Sequence, residues 1–187
     1  MTGFSLFPTA IGTCGIAWRR DMVIATRLPD AEPETTRRRL ADQTKGEEAA
    51  PPQIIRHAIT AITALLEGER PDLNAIICDQ GETDPFAVEV YALTRQLGIG
   101  ETTTYGAIAR QIGDVALSRR VGQTLGRNRL PIIVPCHRVM GADGKLTGFS
   151  ASGGVDTKLR MLAIEGATLG KGPGLFDDLL LATKPSA

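Results

Sequence analysis

The sequence is poor in the residues from which metal sites and disulfide frameworks are built. Three cysteines and two histidines are present among its 187 residues. Neither the C-x-x-C nor the H-x-x-x-H spacing that zinc sites often use occurs. The number of cysteines is odd, and Cys14, Cys78 and Cys136 lie far apart in the sequence. This arrangement is a poor disulfide framework and suits a protein of a reducing compartment. We therefore expect free thiols and neither a metal nor another cofactor.

Net charge and long apolar runs are missing as well. The 21 basic and 21 acidic residues leave a formal net charge of zero, so no global field directs the chain to nucleic acid or to a membrane. The apolar N-terminal stretch is broken by Gly3, Pro8 and Gly12, and it lacks the basic region of a signal peptide. We expect a cytoplasmic protein with no membrane partner. Apolar residues make up 42% of the chain, which is enough to form a core.

The first eighty residues predict a small domain of strands and helices. Loosely alternating apolar residues indicate strands, and apolar residues at helical spacing indicate helices. The predicted strands are 3–7, 13–18, 22–27 and 74–78, the predicted helices are 33–43 and 54–66, and the predicted polar linker is 45–52.

A second, mostly helical domain is predicted from residue 81 onward. Asp84 followed by Pro85 indicates a helix start, because Asp caps the first turn and Pro fits the first helical position. Two short helices follow, at 103–113 after a threonine cap and at 119–127 after Ser118, and such a pair is typical of a helix-turn-helix. The predicted fold class is α/β (α+β), with an N-terminal strand-and-helix domain at 1–80, a winged-helix-like domain at 81–170 and a tail at 171–187.

Acidic residues are absent from one long stretch of the chain. Residues 115–142 contain no Asp or Glu. The arginines of this stretch are Arg119, Arg120, Arg127, Arg129 and Arg138. Because arginine forms two-pronged hydrogen bonds to phosphate oxygens, a basic face beside a helix-turn-helix predicts contact with a nucleic-acid backbone. The alternative is a solvated basic surface without a partner.

The basic stretch contains residues 132–140, IIVPCHRVM, in which an apolar run ends at a cysteine and a histidine. Such a thiol can be a nucleophile, a metal ligand or part of the core. The lack of further ligands disfavours a metal, and the polar neighbours His137 and Arg138 disfavour the core. We expect 131–135 to be extended and to direct Cys136. Adjacent side chains of an extended chain point to opposite sides, so His137 would reach the thiol only through a water or a turn.

Together these residues resemble the O6-alkylguanine-DNA alkyltransferases, the family of methylated-DNA–protein-cysteine methyltransferases. Residues 135–139, PCHRV, match the family's active-site signature, and the likeness continues in order from residue 84 to residue 166. The N-terminal half is much less specific. By this resemblance, Tyr105 is the pocket tyrosine, Arg119 the arginine finger, Asn128 the asparagine of the turn before the active-site segment, 148–154 the substrate-pocket loop and Glu165 the glutamate behind the histidine.

The resemblance implies DNA repair by direct reversal, catalysed by a methylated-DNA–protein-cysteine S-methyltransferase. The family's reaction moves an alkyl group, such as methyl, from O6 of guanine in duplex DNA to the cysteine, here Cys136. The product is a thioether that is not hydrolysed, so each molecule acts once. A relay of Glu165, His137 and a water would take the thiol proton. Tyr105 would donate to the leaving guanine, and Asn128 completes the implied catalytic set.

The resemblance also implies a pocket and a DNA-binding face. The pocket residues are Val139, Met140, Phe149 and Ser150. The second helix of the helix-turn-helix would enter the minor groove, and Arg119 would fill the gap left by a flipped nucleotide. The DNA-binding residues are Thr104, Tyr105, Arg119, Arg120, Gly122, Gln123, Arg127 and Arg138. The implied partner of this monomer is double-stranded DNA containing O6-alkylguanine, with O4-alkylthymine as a second candidate lesion.

Some positions depart from the family's pattern, and other functions remain open. Arg120 and Gln123 stand where many members carry small residues, Arg129 replaces a common proline, and the loop 148–154 is longer than the usual form. The main alternative is a non-catalytic lesion-binding protein of the alkyltransferase-like kind, which lacks the cysteine that is present here. A cysteine hydrolase would need an oxyanion site and a base in direct reach of the thiol. A transcription regulator would need a further DNA-reading domain.

Overall fold

The computed structural model describes residues 2–81, 84–144 and 153–167, and it confirms the predicted α+β class. The strands are β1 (Thr2–Thr9), β2 (Gly12–Arg19), β3 (Met22–Arg27), β4 (Glu47–Glu48), β5 (Thr103–Thr104) and β6 (Val139–Met140). The α-helices are α1 (Pro33–Thr44), α2 (Gln53–Leu66), α3 (Pro85–Arg95), α4 (Tyr105–Ile112), α5 (Ser118–Gly126) and α6 (Gly154–Ile164). Short 3₁₀ turns occur at Leu73–Ala75, Val115–Leu117, Cys136–Arg138 and Ala142–Gly144.

The first four strands form one sheet in the order β3-β2-β1-β4. Neighbours β1, β2 and β3 are antiparallel, whereas β4 runs parallel to β1. Successive side chains of a strand point to opposite faces, so Ile16 and Trp18 of β2 join the main core while Ala17 packs in a second cluster with Leu40 of α1. The middle of the sheet is therefore covered on both faces.

The predicted strands at 3–7, 13–18 and 22–27 and the predicted helices at 33–43 and 54–66 are confirmed. The predicted linker at 45–52 connects α1 to α2, and within it residues 47–48 form β4 by pairing with the edge of β1. One other N-terminal prediction is wrong. The presumed strand at 74–78 begins as the 3₁₀ turn Leu73–Ala75, with the Asp72 side chain accepting from Asn74 N, and only Cys78 bridges to β3.

The helix starts of the C-terminal half follow local capping rules. The Asp84 carboxylate accepts a hydrogen bond from Phe86 N at 3.1 Å, and the Thr104 hydroxyl accepts from Ala107 N at 3.0 Å. Helices α4 and α5 with the turn between them form the predicted helix-turn-helix. The prediction that Ser118 caps α5 is wrong. Its hydroxyl donates back to the Val115 carbonyl, and Leu117 takes the N-cap position.

One hydrophobic core extends through both halves of the chain. It joins Ile16 of the sheet, Leu65 of α2 and Val90 of α3 to Met161 of α6 and to Ile133, which lies in the turn at 130–134. This turn is thereby part of the same core as the N-terminal sheet. The division of the chain at residue 80 stays a prediction. Within 2–81, 84–144 and 153–167, no helix is long and apolar enough to cross a membrane.

Candidate active site

The side chain of Asn128 holds the turn before Cys136 from within the same segment. Asn128 Nδ2 donates to the Val134 carbonyl at 2.9 Å, and Asn128 Oδ1 accepts from Leu130 N at 2.9 Å. The prediction that 131–135 is extended is wrong, because the segment folds into a turn in which Val134 N bonds the Leu130 carbonyl at 2.8 Å. Ile132 adopts a φ of +78°, a conformation that a β-branched residue keeps only when its surroundings impose it.

The residues Cys136, His137 and Arg138 form one 3₁₀ turn. Arg138 N closes the turn by bonding the Pro135 carbonyl at 2.9 Å. This turn removes the objection that adjacent side chains point to opposite sides. Cys136 is partly exposed, whereas His137 is fully buried. Cys136 is thus accessible in part, although its thiol is deep enough for burial to raise its pKa, and the imidazole of the next residue is enclosed in the core.

Glu165 binds the two residues that follow the cysteine. His137 Nε2 lies 2.9 Å from Glu165 Oε1. Arg138 donates through Nε to Glu165 Oε2 and through Nη2 to Oε1, each at 2.8 Å. Gly100 N also donates to Glu165 Oε2, at 3.2 Å. A side chain at Gly100 would meet the Glu165 carbonyl, so this close approach requires a glycine.

The charges of the buried pair follow from opposed effects. Burial tends to raise the pKa of Glu165, but hydrogen bonds from His137 and Arg138 outweigh it and lower that pKa to about 2. Burial lowers the pKa of His137, against the opposing effect of Glu165. The glutamate is therefore ionised and the imidazole neutral at pH 7, so Nε2 carries the hydrogen that Glu165 accepts. Nδ1 keeps its lone pair and has no protein partner among the described residues.

Arg138 was predicted to bind DNA, and this prediction is wrong. Its side chain is 4% exposed. Besides the two bonds to Glu165, its Nη1 donates to the Leu97 carbonyl at 2.6 Å. A guanidinium that is buried and bonded in this way cannot contact a phosphate on the surface. Arg138 instead keeps Glu165 ionised.

Lys158 of α6 belongs to the site, although the sequence patterns did not point to it. It is fully buried, and its Nζ donates to the Val139 carbonyl at 2.7 Å. The same nitrogen lies 6.0 Å from the centre of the Tyr105 ring. A lysine on the same helix face as the buried Met161 and Leu162 was the available signal. A buried ammonium with a perturbed pKa is typical of a functional position, and burial lowers the pKa of Lys158.

The thiol has neighbours that act on its pKa in both directions. Burial raises the pKa of Cys136, while the Asn128 side chain and the Lys158 ammonium lower it. Burial, followed by the charge of Cys136, raises the pKa of Tyr105. The Tyr105 hydroxyl is therefore protonated at neutral pH and can act as a donor. The thiol needs a base to lose its proton.

A two-stranded sheet brings Tyr105 towards the cysteine. Strand β5 pairs in parallel with β6, in the register Thr103 to Val139 and Thr104 to Met140. The side chains of Val139 and Met140 are almost completely buried in the core clusters. These two side chains therefore pack in the core, and the part of residues 139–140 in the substrate pocket stays a prediction. The predicted pocket residues Phe149 and Ser150, with most of the loop 148–154, lie outside the described residues, as does the tail 171–187.

Helix α5 presents a basic surface beside this site. Its exposed predicted DNA contacts are Arg119, Arg120, Gln123 and Arg127. Thr104, Tyr105 and Gly122 are partly exposed. A Cβ on Gly122 would lie 3.8 Å from the Tyr105 ring, so the glycine faces the tyrosine. Arg120 also has partners in the protein, because Nη2 pairs with Asp84 Oδ2 at 3.1 Å and its guanidinium lies 4.0 Å from the Phe86 ring centre.

The five arginines of the acid-free stretch do not share one face. Arg119, Arg120 and Arg127 are exposed, while Arg138 is buried. Arg129 is half-buried and lies against the N-terminal half, where its Nη2 donates to the Gln43 carbonyl at 3.5 Å. No group of three or more metal-binding side chains occurs in the part of the chain that the structure describes.

The comparisons with known proteins agree on one family. The family model described as "6-O-methylguanine DNA methyltransferase, DNA binding domain" matches residues 85–167. The methylated-DNA–protein-cysteine methyltransferase of Methanosarcina acetivorans is 39% identical over 115 residues, which cover 62% of this chain and 71% of the relative.

Solved structures from Mycobacterium tuberculosis extend the similarity to the N-terminal half. The O6-methylguanine methyltransferase superposes with a TM-score of 0.70 at 31% identity, covering 97% of this chain and 99% of the other. The OGT in complex with DNA has a TM-score of 0.70 at 31% identity, covering 87% and 92%. The chain belongs to the methylated-DNA–protein-cysteine methyltransferase family.

Proposed function

We propose that this protein repairs O6-alkylguanine in double-stranded DNA by transferring the alkyl group to Cys136 in a single turnover. The observation that carries the proposal is a partly exposed Cys136 followed directly by a buried, neutral His137 that is hydrogen-bonded to an ionised Glu165. The exposed arginines of α5 supply a phosphate-binding surface beside that thiol. The named relatives and the M. tuberculosis OGT–DNA structure support the same substrate.

The proton of Cys136 moves first, through a bridging water, to Nδ1 of His137. Glu165 accepts the Nε2 hydrogen at 2.9 Å and stabilises the imidazolium that forms. Arg138 holds Glu165 in its ionised form and orients it. Lys158 stabilises the thiolate, because its ammonium lowers the pKa of Cys136. The result is a nucleophile that is generated where the alkyl group arrives.

In the transfer step, Cys136 Sγ attacks the alkyl carbon in line, and the C–O6 bond breaks. The bonding electrons leave with guanine, which gains a proton to become the unmodified base. The Tyr105 hydroxyl donates to the leaving base, in agreement with the raised pKa that keeps it protonated. A thioether offers no ready hydrolytic step, so Cys136 stays alkylated and the protein acts once.

Duplex binding is assigned to the helix-turn-helix. Helix α5 enters the minor groove, Arg119 takes the place of the flipped nucleotide, and Thr104, Gln123 and Arg127 contact the backbone. Gly122 faces Tyr105, and its lack of a side chain permits close approach of α5 to the DNA. Contacts to phosphate and sugar carry no base preference, which suits the repair of a lesion in any sequence. O4-alkylthymine is a second candidate lesion.

The protein is proposed to work as a cytoplasmic monomer without a cofactor. All three thiols are free, in agreement with a reducing compartment. The reaction as written needs no group beyond the chain, the DNA and water.

An intact-mass experiment tests the proposal. One sample of the protein is incubated with an equimolar duplex that contains one O6-methylguanine. A separate sample is incubated with an undamaged duplex as the control. A gain of one methylene, about 14 Da, on the peptide holding Cys136 is expected only with the damaged duplex. Cys136→Ala should bind the lesion without gaining mass. Lesion binding without a mass gain in the unmodified chain would overturn the proposal and favour a non-catalytic lesion-binding protein.

A further inference from the structure

Thr26 of strand β3 connects the N-terminal sheet to the turn that carries the nucleophile. Thr26 N donates to the Arg129 carbonyl at 2.9 Å. Its hydroxyl donates to the Pro131 carbonyl at 2.6 Å. Thr26 is only 4% exposed, so its hydroxyl is committed to this bond and is not shared with solvent. One residue therefore fixes two carbonyls of the turn from outside.

A β-bulge directs Thr26 to the turn. Ala17 pairs with Ala25 but Trp18 pairs with Val23, so Ile24 is an extra residue in β3. Val23 then faces the main core and Ala25 faces the α1 side of the sheet. With regular alternation, Val23 and Ala25 would share a face, and Thr26 would point away from the C-terminal half. Because of the bulge, the Thr26 side chain lies on the same face of the sheet as Val23, towards the C-terminal half.

The carbonyl that Thr26 binds lies next to a strained residue. Pro131 directly precedes Ile132, whose φ is +78°. Asn128 secures the far end of the turn by donating to the Val134 carbonyl at 2.9 Å. Thr26 and Asn128 thus hold the two sides of Ile132, and Cys136 N is bonded to the Val134 carbonyl at 2.8 Å. The position of the thiol depends on both anchors.

We propose that Thr26 is a positioning residue for Cys136, and that one role of the N-terminal half is to hold the nucleophile in line with the alkyl carbon. The inference rests on the proposed function for its activity readout. Without the hydroxyl, the Pro131 carbonyl is released and Ile132 can relax. In-line attack is sensitive to displacements of about 1 Å, so the chemical step slows while DNA binding, which uses α5, is unchanged.

The test compares Thr26→Val, which has the same shape but no hydroxyl, with Thr26→Ser, which keeps the hydroxyl. Single-turnover transfer is measured against the concentration of damaged duplex. We expect Thr26→Val to lower the limiting rate about tenfold and to leave the half-saturating DNA concentration unchanged. Thr26→Ser should restore the rate to within about twofold. An unchanged limiting rate in Thr26→Val, or a shift of half-saturation alone, overturns the inference.

Thr36→Val is the matched control for simple loss of stability. Thr36 is also buried, but its hydroxyl accepts from Asp30 N at 2.9 Å, away from the turn. Both valine variants are compared at equal thermal stability by choosing the assay temperature relative to each Tm. Equal slowing by Thr36→Val would overturn the positioning role.

A second readout does not depend on DNA. The rate of alkylation of Cys136 by iodoacetamide, followed by peptide mass, should change in Thr26→Val and recover in Thr26→Ser. An unchanged rate contradicts the inference. If the unmodified chain fails to accept a methyl group from DNA, the proposed function fails, and the iodoacetamide rates still decide the role of Thr26.

Discussion

The 3₁₀ turn Cys136–Arg138 and helix α5 both carry arginine, but they use its charge in opposite ways. Arg138 is 4% exposed, and its guanidinium is shared between Glu165 and the Leu97 carbonyl. Arg119 lies on the exposed side of α5. A buried charge must be paired, whereas an exposed charge remains available to a partner such as phosphate. We therefore propose that the buried residues govern proton transfer and that the exposed helix governs binding to DNA.

The largest expected effect follows from removal of the base. Burial lowers the pKa of His137, so it remains a neutral base from pH 8.5 down to at least about 6.5, and the single-turnover rate should be flat over that range. In His137→Gln, the burial-raised pKa of Cys136 makes the rate rise about tenfold per pH unit. At pH 7 the variant should be slower by a factor of about 100 or more. A flat, slow profile in His137→Gln would contradict this account.

The next effect concerns stability and separates the two arginines. Arg138→Ala leaves Glu165 buried with half of its hydrogen-bond partners, which should lower the free energy of unfolding by about 3 kcal/mol. Arg138→Lys should recover little, because a lysine cannot bond both carboxylate oxygens in the same way. Arg119→Ala should stay within about 0.5 kcal/mol of the unmodified chain. Urea titration of all three variants measures their free energies of unfolding. A similar loss of stability in Arg119→Ala and Arg138→Ala would contradict the contrast between the two arginines.

Local features of the site could be predicted from the sequence, because each rests on neighbours in the chain. Asp84 and Thr104 cap helices through atoms two or three residues away. The PCHRV segment and Glu165 were found through their resemblance to a family. The role of each residue remains a proposal, while the structure adds the geometry that joins His137 to Glu165.

Long-range features could not be predicted in the same way. Arg138 appeared to belong to a basic face, because nothing beside it in sequence shows that Glu165 meets it from α6. Lys158 and Thr26 reach the site from elements that are distant in sequence. Ile132 adopts a φ of +78° against its own preference, because packing and hydrogen bonds around it prevail.

A medium effect is expected on α5. Arg119→Ala should weaken binding to damaged duplex about tenfold and reduce the slope of log affinity against log salt by about one. Arg119→Lys should restore the salt slope, since it keeps the charge, but not the full affinity for damaged duplex, since lysine fills the stack poorly. Fluorescence anisotropy at several salt concentrations measures the slope. An unchanged slope in Arg119→Ala would show that the charge of this arginine does not contribute to duplex binding.

The smallest effect is expected at the ion pair between Arg120 and Asp84. Asp84→Asn keeps the helix cap but releases Arg120 and removes a negative charge, so binding to undamaged duplex should tighten about threefold. In an Arg120→Ala background the same change should have a smaller effect, because no arginine is released. Equal effects in the two backgrounds would show that the release of Arg120 from Asp84 does not contribute to the tighter binding.

The most direct test is one single-turnover titration with damaged duplex, carried out on His137→Gln and Arg127→Ala beside the unmodified chain. His137 is fully buried, whereas Arg127 is exposed at the end of α5. The account predicts that His137→Gln lowers the plateau rate at unchanged half-saturation, and that Arg127→Ala raises the half-saturating concentration at an unchanged plateau. A shift of half-saturation by His137→Gln, or of the plateau by Arg127→Ala, would contradict the division between a buried chemical site and an exposed binding helix.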